Sequence, residues 1–265
     1  MAHIKLSRTQ YKTSAIMIRS LDYGESDRIV TFFTEEFGKV KGIAKGAKRS
    51  RRRFVNALEP FSRSELLFSR RSSEGLALIE QCDVTDHFAG IRSELETTLA
   101  ASYLVDLLDR FSVEGKRNPD LFRYATDFLR EIDQGGISEP MIRIFEMRLL
   151  KFAGYEPRLD RCKICGRPLE EMGYAVFVPA EGWLRCRGEC ASRSPDKGSD
   201  GIAASIGTVM TLLAGMQLPV EKARRLVLTG RQAEEGRALL TGFIRHLLGS
   251  EPPSYRVLEE VKNRF

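Results

Sequence analysis

Residues 13–44 read TSAIMIRSLDYGESDRIVTFFTEEFGKVKGIA, and this stretch decides the fold of the first part of the chain. It holds three short runs, at residues 13–20, 28–34 and 38–44, that are rich in β-branched, aliphatic and aromatic side chains. The polar residues 22–27 separate the first two runs, and Gly38 opens the third. Runs of this length between turn residues predict β-strands rather than helices.

Two more runs of the same kind follow, SELLFSR at residues 64–70 and LALIE at residues 76–80. Pro60 and Gly75 supply turn residues before them. Five short strands within about 80 residues predict a small barrel, and the OB-fold is the five-stranded barrel that commonly binds oligonucleotides. A sandwich fragment or an SH3-like barrel produces a similar pattern, so both remain open on the strand spacing alone.

After Val84 the apolar residues recur with a helical period, beginning with Ile91, Leu95 and Leu99. Asn118 before Pro119 predicts a helix start, and Gly154 is placed to end the helix that begins near Ser138. Further helices are predicted at residues 205–216, 219–228, 232–248 and 254–264. The fold class is therefore α+β multidomain. An N-terminal five-stranded OB-fold barrel precedes a mostly α-helical domain, which is interrupted by a cysteine-rich insert.

Positive charge is concentrated in one segment of the barrel region. The chain of 265 residues has a net charge of +6 and a pI of about 9.1, but residues 1–80 carry +7 and residues 81–265 carry −1. GKVKGIAKGAKRSRRRF, at residues 38–54, contains no acid. Its eight cations are Lys39, Lys41, Lys45, Lys48, Arg49, Arg51, Arg52 and Arg53.

Such a segment predicts a track for the phosphates of a nucleic acid, because eight cations without an acid repel one another until an anion neutralises them. We expect Phe54, with Phe61 nearby, to offer rings on which bases stack. No base-reading motif accompanies the cations, so binding is predicted to be mostly independent of sequence. A solvated loop and a surface for acidic proteins are the two alternative interpretations.

Four of the five cysteines form two pairs, Cys162 with Cys165 and Cys186 with Cys190, in the pattern C-x2-C-x20-C-x3-C. Two such knuckles complete a tetrahedron of sulfurs, so we expect one structural Zn²⁺ held by all four. The residues between the pairs predict a small hairpin, as in a zinc ribbon. Nearby cations (Arg161, Lys163, Arg185 and Arg187) are expected to favour the thiolates. The fifth, Cys82, is interpreted as a small buried residue at a strand end.

No enzyme motif accompanies these features. The three histidines, His3, His87 and His246, lie in no zinc-protease or deaminase signature, and neither G-x-S-x-G nor a phosphate-binding loop is present. The sequence therefore predicts a protein that is not an enzyme. No apolar run approaches 18 residues, and the first ten residues lack the apolar core of a signal peptide, so a cytoplasmic location away from membranes is expected.

The opening of the chain resembles the RecO family of bacterial recombination and repair proteins. The shared pattern includes Gly24-Glu25-Ser26-Asp27 with Ile29, Val30 and Phe33, followed by the basic stretch from Gly38 to Phe54. FEMRLLKFAGYEPRLDRCKICG, at residues 145–166, is similar to the family's approach to its first zinc knuckle. The pair CRGEC is one residue longer than the family's usual second knuckle.

This resemblance implies a recombination mediator without catalytic turnover, associated with the nucleoid. It implies binding of single- and double-stranded DNA, annealing of complementary strands, and loading of RecA with the help of RecR. The coated strand is expected to be recognised through the acidic C-terminal tail of single-stranded-DNA-binding protein. The alternative function is an RNA-binding or zinc-ribbon adaptor in translation or transcription.

The predicted domains are an OB-fold at residues 1–82 and a helical domain at residues 83–158 and 202–265. The zinc-finger insert is predicted at residues 159–201 within the helical domain.

Overall fold

The structure is a computed structural model that describes residues 9–70, 75–187, 190 and 201–262. It divides into two compact units, with the boundary between Gly135 and Gly136. The prediction that the first residues carry no signal peptide falls mostly on residues 1–8, and these, with His3, lie outside the described residues. Among the described residues, no helix combines the length and apolar character needed to cross a bilayer.

The first unit contains a closed five-stranded barrel in which the strands follow the order β1-β2-β3-β5-β4. The strands are β1 (Thr9–Tyr23), β2 (Asp27–Thr34), β3 (Gly38–Ala44), β4 (Arg63–Arg70) and β5 (Ala77–Asp86). Neighbours pair antiparallel except β3 with β5, which are parallel. The predicted barrel is confirmed, and its first strand is longer than the apolar run alone indicates.

Buried residues alternate with outward-facing ones in β3, whereas β1 and β2 contain runs of six and five consecutive buried residues. In β3, Val40 and Ala44 are buried in the core while Lys41 between them is exposed. Gly42 permits the closure of β3 on β5, because a Cβ atom there would lie 2.6 Å from the Ile79 side chain and 2.8 Å from the Ala77 carbonyl oxygen. Any larger residue at that position would push the two strands apart.

In the described part of the first unit, a 3₁₀-helix, Ala47–Arg49, follows β3, and three α-helices follow β5. They are α1 (Ala89–Ser93), α2 (Leu95–Phe111) and α3 (Pro119–Gly135). The apolar stripe from Ile91 onward predicts one uninterrupted helix, and this prediction is wrong at Glu94. The backbone of Glu94 is extended and separates α1 from α2. The Thr98 hydroxyl donates to the Ile91 carbonyl at 2.7 Å across this break, and Leu95 is exposed. The Asn118 cap is confirmed, since its side-chain oxygen accepts from the Leu121 N–H at 3.1 Å.

The second unit combines helices with a four-stranded sheet of order β6-β8-β7-β9. The α-helices in residues 136–187 and 201–262 are α4 (Glu139–Ala153), α5 (Ile206–Gln217), α6 (Gly230–Leu248) and α7 (Pro253–Lys262). Its strands are β6 (Arg158–Cys162), β7 (Tyr174–Val178), β8 (Trp183–Cys186) and β9 (Ile202–Ser205). The hairpin predicted between the cysteine pairs is β7 with β8, and Gly154 ends α4 with a left-handed φ of 87°.

Two details of this unit differ from the predictions. The α-helix expected at residues 219–228 is instead a 3₁₀-helix, Val220–Arg225, in which Ala223 is the one buried residue. Its apolar residues recur every third position, which suits three residues per turn. Helix α6 begins two residues earlier than predicted, because Thr229 and Gln232 form a reciprocal capping box.

The predicted fold class, an OB-fold barrel followed by a helical part with four clustered cysteines, is confirmed. Strand β5 continues to Asp86, past the boundary predicted at residue 82. The fourfold division into domains stays a prediction.

Candidate nucleic-acid interface and metal centre

The basic segment, residues 38–54, begins with β3, and the part after Ala44 contacts the turn between β1 and β2. Gly46, at a left-handed φ of 68°, donates its N–H to an Asp27 carboxylate oxygen at 2.8 Å. This backbone hydrogen bond is the main reason that the pKa of Asp27 lies below its usual value. The Lys48 N–H donates to the Ser26 carbonyl oxygen at 3.0 Å. The base of the segment is therefore positioned by the G-E-S-D turn.

The eight cations fall into two groups. Lys39 is largely buried, and its ammonium lies 3.1 Å from an Asp109 carboxylate oxygen. Lys48 lies 3.1 Å from the carboxylate of Asp22. Within the part of the chain that the structure describes, the remaining six make no ion pair, and all six are exposed. These are Lys41, Lys45, Arg49, Arg51, Arg52 and Arg53. The structure thus keeps six of the eight predicted contacts available to an anion.

The outer face of strands β1–β3 adjoins the basic segment at Lys41, and sequence reasoning missed it. The other two cations on this face are paired, because Arg19 lies 2.9 Å and Lys39 3.1 Å from Asp109 carboxylate oxygens. Across the strands, Arg19 pairs with Thr31, and Thr31 pairs with Lys41. The next cross-strand row is apolar, and Leu21 in it is 56% exposed. In this apolar row, Leu21 on β1 pairs with Ile29 on β2, and Ile29 pairs with Ile43 on β3. A cavity of about 280 Å³ lies on this face, and its lining includes Lys41 and the two acids Asp109 and Glu114.

The signal for this face was present in the sequence. Residues 39, 41 and 43 alternate with the core residues of β3, so their side chains must point outward. What the sequence does not show is the bulge in β1 between Met17 and Arg19, which turns Arg19 and Leu21 toward the same face.

The four predicted metal ligands converge in the second unit. Their sulfurs all lie within 4.8 Å of one another, and the Sγ atoms of Cys165 and Cys186 are 3.7 Å apart. Zn–S bonds of about 2.3 Å in a tetrahedron place sulfurs roughly 3.8 Å apart, so the donor set fits one zinc ion. Strand pairing produces this convergence, since Cys162 ends β6 and Cys186 ends the neighbouring β8.

Backbone N–H groups prepare one of these sulfurs for a cation. Burial disfavours the Cys162 thiolate, but hydrogen bonds from the backbone of Cys165, Cys186 and Ile164 outweigh burial and lower its pKa to about 6. The pKa of Cys186 is raised to about 12, through burial and then through the neighbouring thiols, and that of Cys190 is raised for the same reasons. Four sulfurs this close share negative charge poorly unless a divalent cation stabilises it.

The cations near the cysteines have other partners. Arg185 is fully buried and donates to the Glu181 carboxylate, which Lys163 also approaches at 3.4 Å. Arg161 pairs with Asp160 at 2.7 Å, and the Arg187 guanidinium lies 5.6 Å from the Tyr174 ring centroid. Their help to the thiolates stays a prediction, because the groups that lower the Cys162 pKa belong to Cys165, Cys186 and Ile164.

Comparison with known proteins decides the family. The family described as "Recombination protein O N terminal" matches residues 8–88, and "Recombination protein O C terminal" matches residues 92–256. The DNA repair protein RecO of Syntrophus aciditrophicus is 44% identical over 97% of this chain and 98% of its own length. The chain belongs to the RecO family. DNA repair proteins RecO of Desulfatibacillum aliphaticivorans and Geobacter metallireducens are 33% and 35% identical over 95% of the chain, and over 97% and 98% of their own lengths.

The resemblance drawn from residues 11–54 and 145–166 is thus confirmed for this RecO family member, and it extends over nearly the whole chain. The matched relatives are named as DNA repair proteins. The two family matches meet between residues 88 and 92, close to the end of β5 at Asp86.

The stacking role predicted for Phe54 and Phe61 needs correction. Both rings are buried, at 5% and 4% exposure, and Phe54 belongs to the apolar core of the barrel. The Arg53 guanidinium covers the outer side of the Phe54 ring at 4.9 Å from its centroid. Neither ring can stack on a base without leaving the core, so we assign Phe54 to barrel stability. Cys82, also in this core, is buried as predicted, and burial raises its pKa to about 12.

Phe54→Ala is therefore expected to destabilise the protein rather than to weaken DNA contacts. Truncating a buried Phe costs about 3–5 kcal/mol, from lost burial and the cavity that remains. Urea unfolding of the full chain should show this loss, while the salt dependence of DNA affinity at low denaturant stays unchanged. If Phe54→Ala instead lowers DNA affinity while the free energy of unfolding stays at the wild-type value, Phe54 stacks on bases as first predicted.

Proposed function

We propose that this RecO family member is a non-enzymatic recombination mediator that binds single- and double-stranded DNA through the basic segment and the outer face of β1–β3. The observation that carries the proposal is the set of six exposed cations without acidic partners in the described residues. In the folded chain such cations bind phosphates with release of counterions, a contribution that does not depend on base identity.

The outer face of β1–β3 supplies apolar surface for bases, which the cations of the basic segment do not provide. Leu21 and Ile29 present apolar surface in the cavity that Lys41 also lines. Tyr23, which is 54% exposed, lies two residues beyond Leu21 on β1. Bases of a single strand can lie on such a surface while its phosphates meet the cations, which is how OB-folds bind oligonucleotides. We propose that Tyr23, rather than Phe54, is the aromatic residue that bases contact.

Annealing follows from this arrangement with little chemistry. Neutralised phosphates let two like-charged strands approach, and pairing of the bases then supplies the free energy. We further propose that RecR and single-stranded-DNA-binding protein are its partners, and that the chain helps to load RecA in the cytoplasm at the nucleoid. In these roles no catalytic group is required.

The metal has a structural role in this proposal. Cys162, Cys165, Cys186 and Cys190 would occupy every position of a tetrahedral zinc ion, leaving none for a reactive water. When bound, zinc supplies a cross-link between the end of β6 and the end of β8. The chain's own strands then hold the β7–β8 hairpin against the helices.

The test of the mediator role uses complementary oligonucleotides coated with single-stranded-DNA-binding protein, with and without RecR. We expect the full chain to anneal the coated strands and RecR to alter RecA loading on them. Failure to anneal either coated or bare strands contradicts the proposal. Competition by RNA that exceeds competition by DNA would instead indicate the adaptor function.

Lys41→Ala tests the part of the basic segment that lies in β3 separately from residues 45–54. Removal of one phosphate contact should reduce the slope of log affinity against log salt by about 0.7 for single-stranded DNA. Lys12→Ala is the matched control, because Lys12 is 70% exposed and lies on β1 where that strand pairs with β4. The salt slopes are measured by fluorescence-anisotropy titration. Equal changes of slope in the two variants would show that the phosphates do not bind at Lys41.

A further inference from the structure

The second unit contains a cleft of about 480 Å³ that the proposed function does not use. It lies between the end of α4, the turn between β7 and β8, and the last turn of α6. Tyr155, Arg158, Trp183, Phe243 and His246 are among the residues that line it. Its volume is within the range of small-molecule sites, large enough for one or more aromatic rings.

Strand pairing places an aromatic ring beside a cation in this cleft. Arg158 on β6 is the register partner of Trp183 on the parallel strand β8, and the Arg158 N–H donates to the Gly182 carbonyl oxygen at 2.8 Å. Trp183 is half-buried and Tyr155 is 49% exposed, so both rings keep surface available. A planar ligand can lie against such rings, with a negative group near Arg158.

Arg158 leaves the cleft with a positive charge, because each acid that lines the cleft already pairs with another cation. Its two acids are already neutralised: Glu156 lies 3.3 Å from Lys151, and Glu181 accepts from Arg185 and lies near Lys163. Arg158 is exposed and makes no ion pair in the ranges that the structure covers. Asp160, whose pKa it helps to lower, is itself paired with Arg161 at 2.7 Å.

The positive surface continues beyond the cleft. An adjoining cavity of about 360 Å³ shares Pro179, Ala180 and His246 with the first and is bordered by Arg245. Arg245 is exposed as well, and none of the described acids forms an ion pair with it. The two cavities thus form a groove with an aromatic pocket at one end and a cation at the other.

We propose that this groove binds single-stranded nucleic acid, with a base on Trp183 and Tyr155 and phosphates at Arg158 and Arg245. Stacking accepts any base, and the cations match phosphates, so the groove combines the two elements of sequence-independent single-strand binding. An acidic peptide would use the cations but not the flat faces of two aromatic rings. The inference rests on the proposed annealing function and adds to it a second strand site, apart from the barrel.

Trp183 makes the test direct, because it is the single tryptophan of the chain. The probe is a 15-nucleotide oligo-dT added to the full, zinc-containing protein while tryptophan emission is followed with excitation at 295 nm. We expect saturable quenching in the wild type. In the double variant Arg158→Glu/Arg245→Glu, quenching should require at least about tenfold more oligonucleotide, since two phosphate contacts become repulsive.

The matched control is Lys222→Glu/Arg256→Glu, which makes the same change of charge at exposed positions of the second unit that do not line the groove. It should retain wild-type quenching. Arg158→Ala/Arg245→Ala serves as the second variant, with a smaller loss in the same direction. Equal weakening by the control pair, or no weakening in either groove variant, overturns the proposal.

Failure of the groove and failure of the basic segment give different results. Anisotropy of labelled oligo-dT reports all binding, whereas Trp183 emission reports the groove. In Arg51→Ala/Arg52→Ala/Arg53→Ala, anisotropy should show weaker binding while the quenching of Trp183 persists. Two results overturn the proposal that the groove binds single strands and leave the barrel site unaffected. One is binding of oligo-dT by anisotropy without quenching of Trp183 in the wild type. The other is quenching by a poly-glutamate peptide but not by oligo-dT.

Discussion

Replacement of Arg51, Arg52 and Arg53 together with alanine should lower single-strand affinity about fifty-fold at 50 mM salt. The three side chains are exposed, and no acid pairs with them among the described residues, so at least two are expected to contact phosphates. Each contact on single-stranded DNA contributes about 0.9 log unit at 50 mM relative to 1 M salt. Two lost contacts then account for the expected change.

The salt dependence separates this effect from a structural one. If about four cations each neutralise one phosphate, wild-type affinity should fall roughly fifty-fold between 50 and 200 mM salt. The triple variant should lose only about three- to sevenfold over that range, and equally for unrelated sequences. Lys12→Ala/Arg123→Ala/Arg130→Ala removes three exposed cations that already pair with acids, and it should keep the wild-type slope. If the triple variant keeps the wild-type slope of log affinity against log salt, the basic segment is a solvated loop that does not contact phosphates.

Cys162→Ser should abolish zinc binding and destabilise the second unit. Freshly purified wild type is expected to hold about one zinc per chain, because four thiolates satisfy one ion. Cys162 has the lowered pKa and is buried at the end of β6, so its loss removes the ligand best prepared for the metal. A loss of about 5 kcal/mol is expected, which corresponds to a Tm lower by roughly 10–20 °C for a unit of this size.

The control for zinc is Cys82→Ser, which alters a cysteine in the barrel and should leave the zinc content at one. DNA affinity through the basic segment should survive in Cys162→Ser, because the cysteines and that segment belong to different units. Trp183 emission should change on chelation, since Trp183 and Cys186 share β8. Metal-free protein of wild-type stability would contradict the zinc assignment.

Much of this architecture was predictable because it depends on local pattern. Strand β3 alternates between buried and outward-facing residues, and the cysteine spacing specifies a cluster without reference to the rest of the chain. The helix cap at Asn118 follows from two adjacent residues. These features need no knowledge of tertiary contacts, and the structure confirms them.

The errors have a common physical cause, which is packing between segments distant in sequence. Phe54 follows three arginines, so its neighbours indicate a surface residue, yet its ring fills the barrel core. Lys39 belongs to the basic run, but Asp109 on α2, seventy residues away, neutralises it. The bulge in β1 that turns Leu21 outward depends on pairing with β2. A sequence pattern lists the charges and rings, whereas the fold decides which of them remain exposed.

Strand annealing by the Arg51→Ala/Arg52→Ala/Arg53→Ala variant tests the central claim most directly. Complementary bare oligonucleotides carrying a donor and an acceptor dye are mixed at 50 mM salt with wild type, with this variant, or with the Lys12, Arg123 and Arg130 control. We predict that wild type and control accelerate annealing over the spontaneous rate, and that the variant loses at least nine-tenths of the acceleration. A variant that anneals at the wild-type rate would contradict the account, because the basic segment would then have no part in bringing strands together.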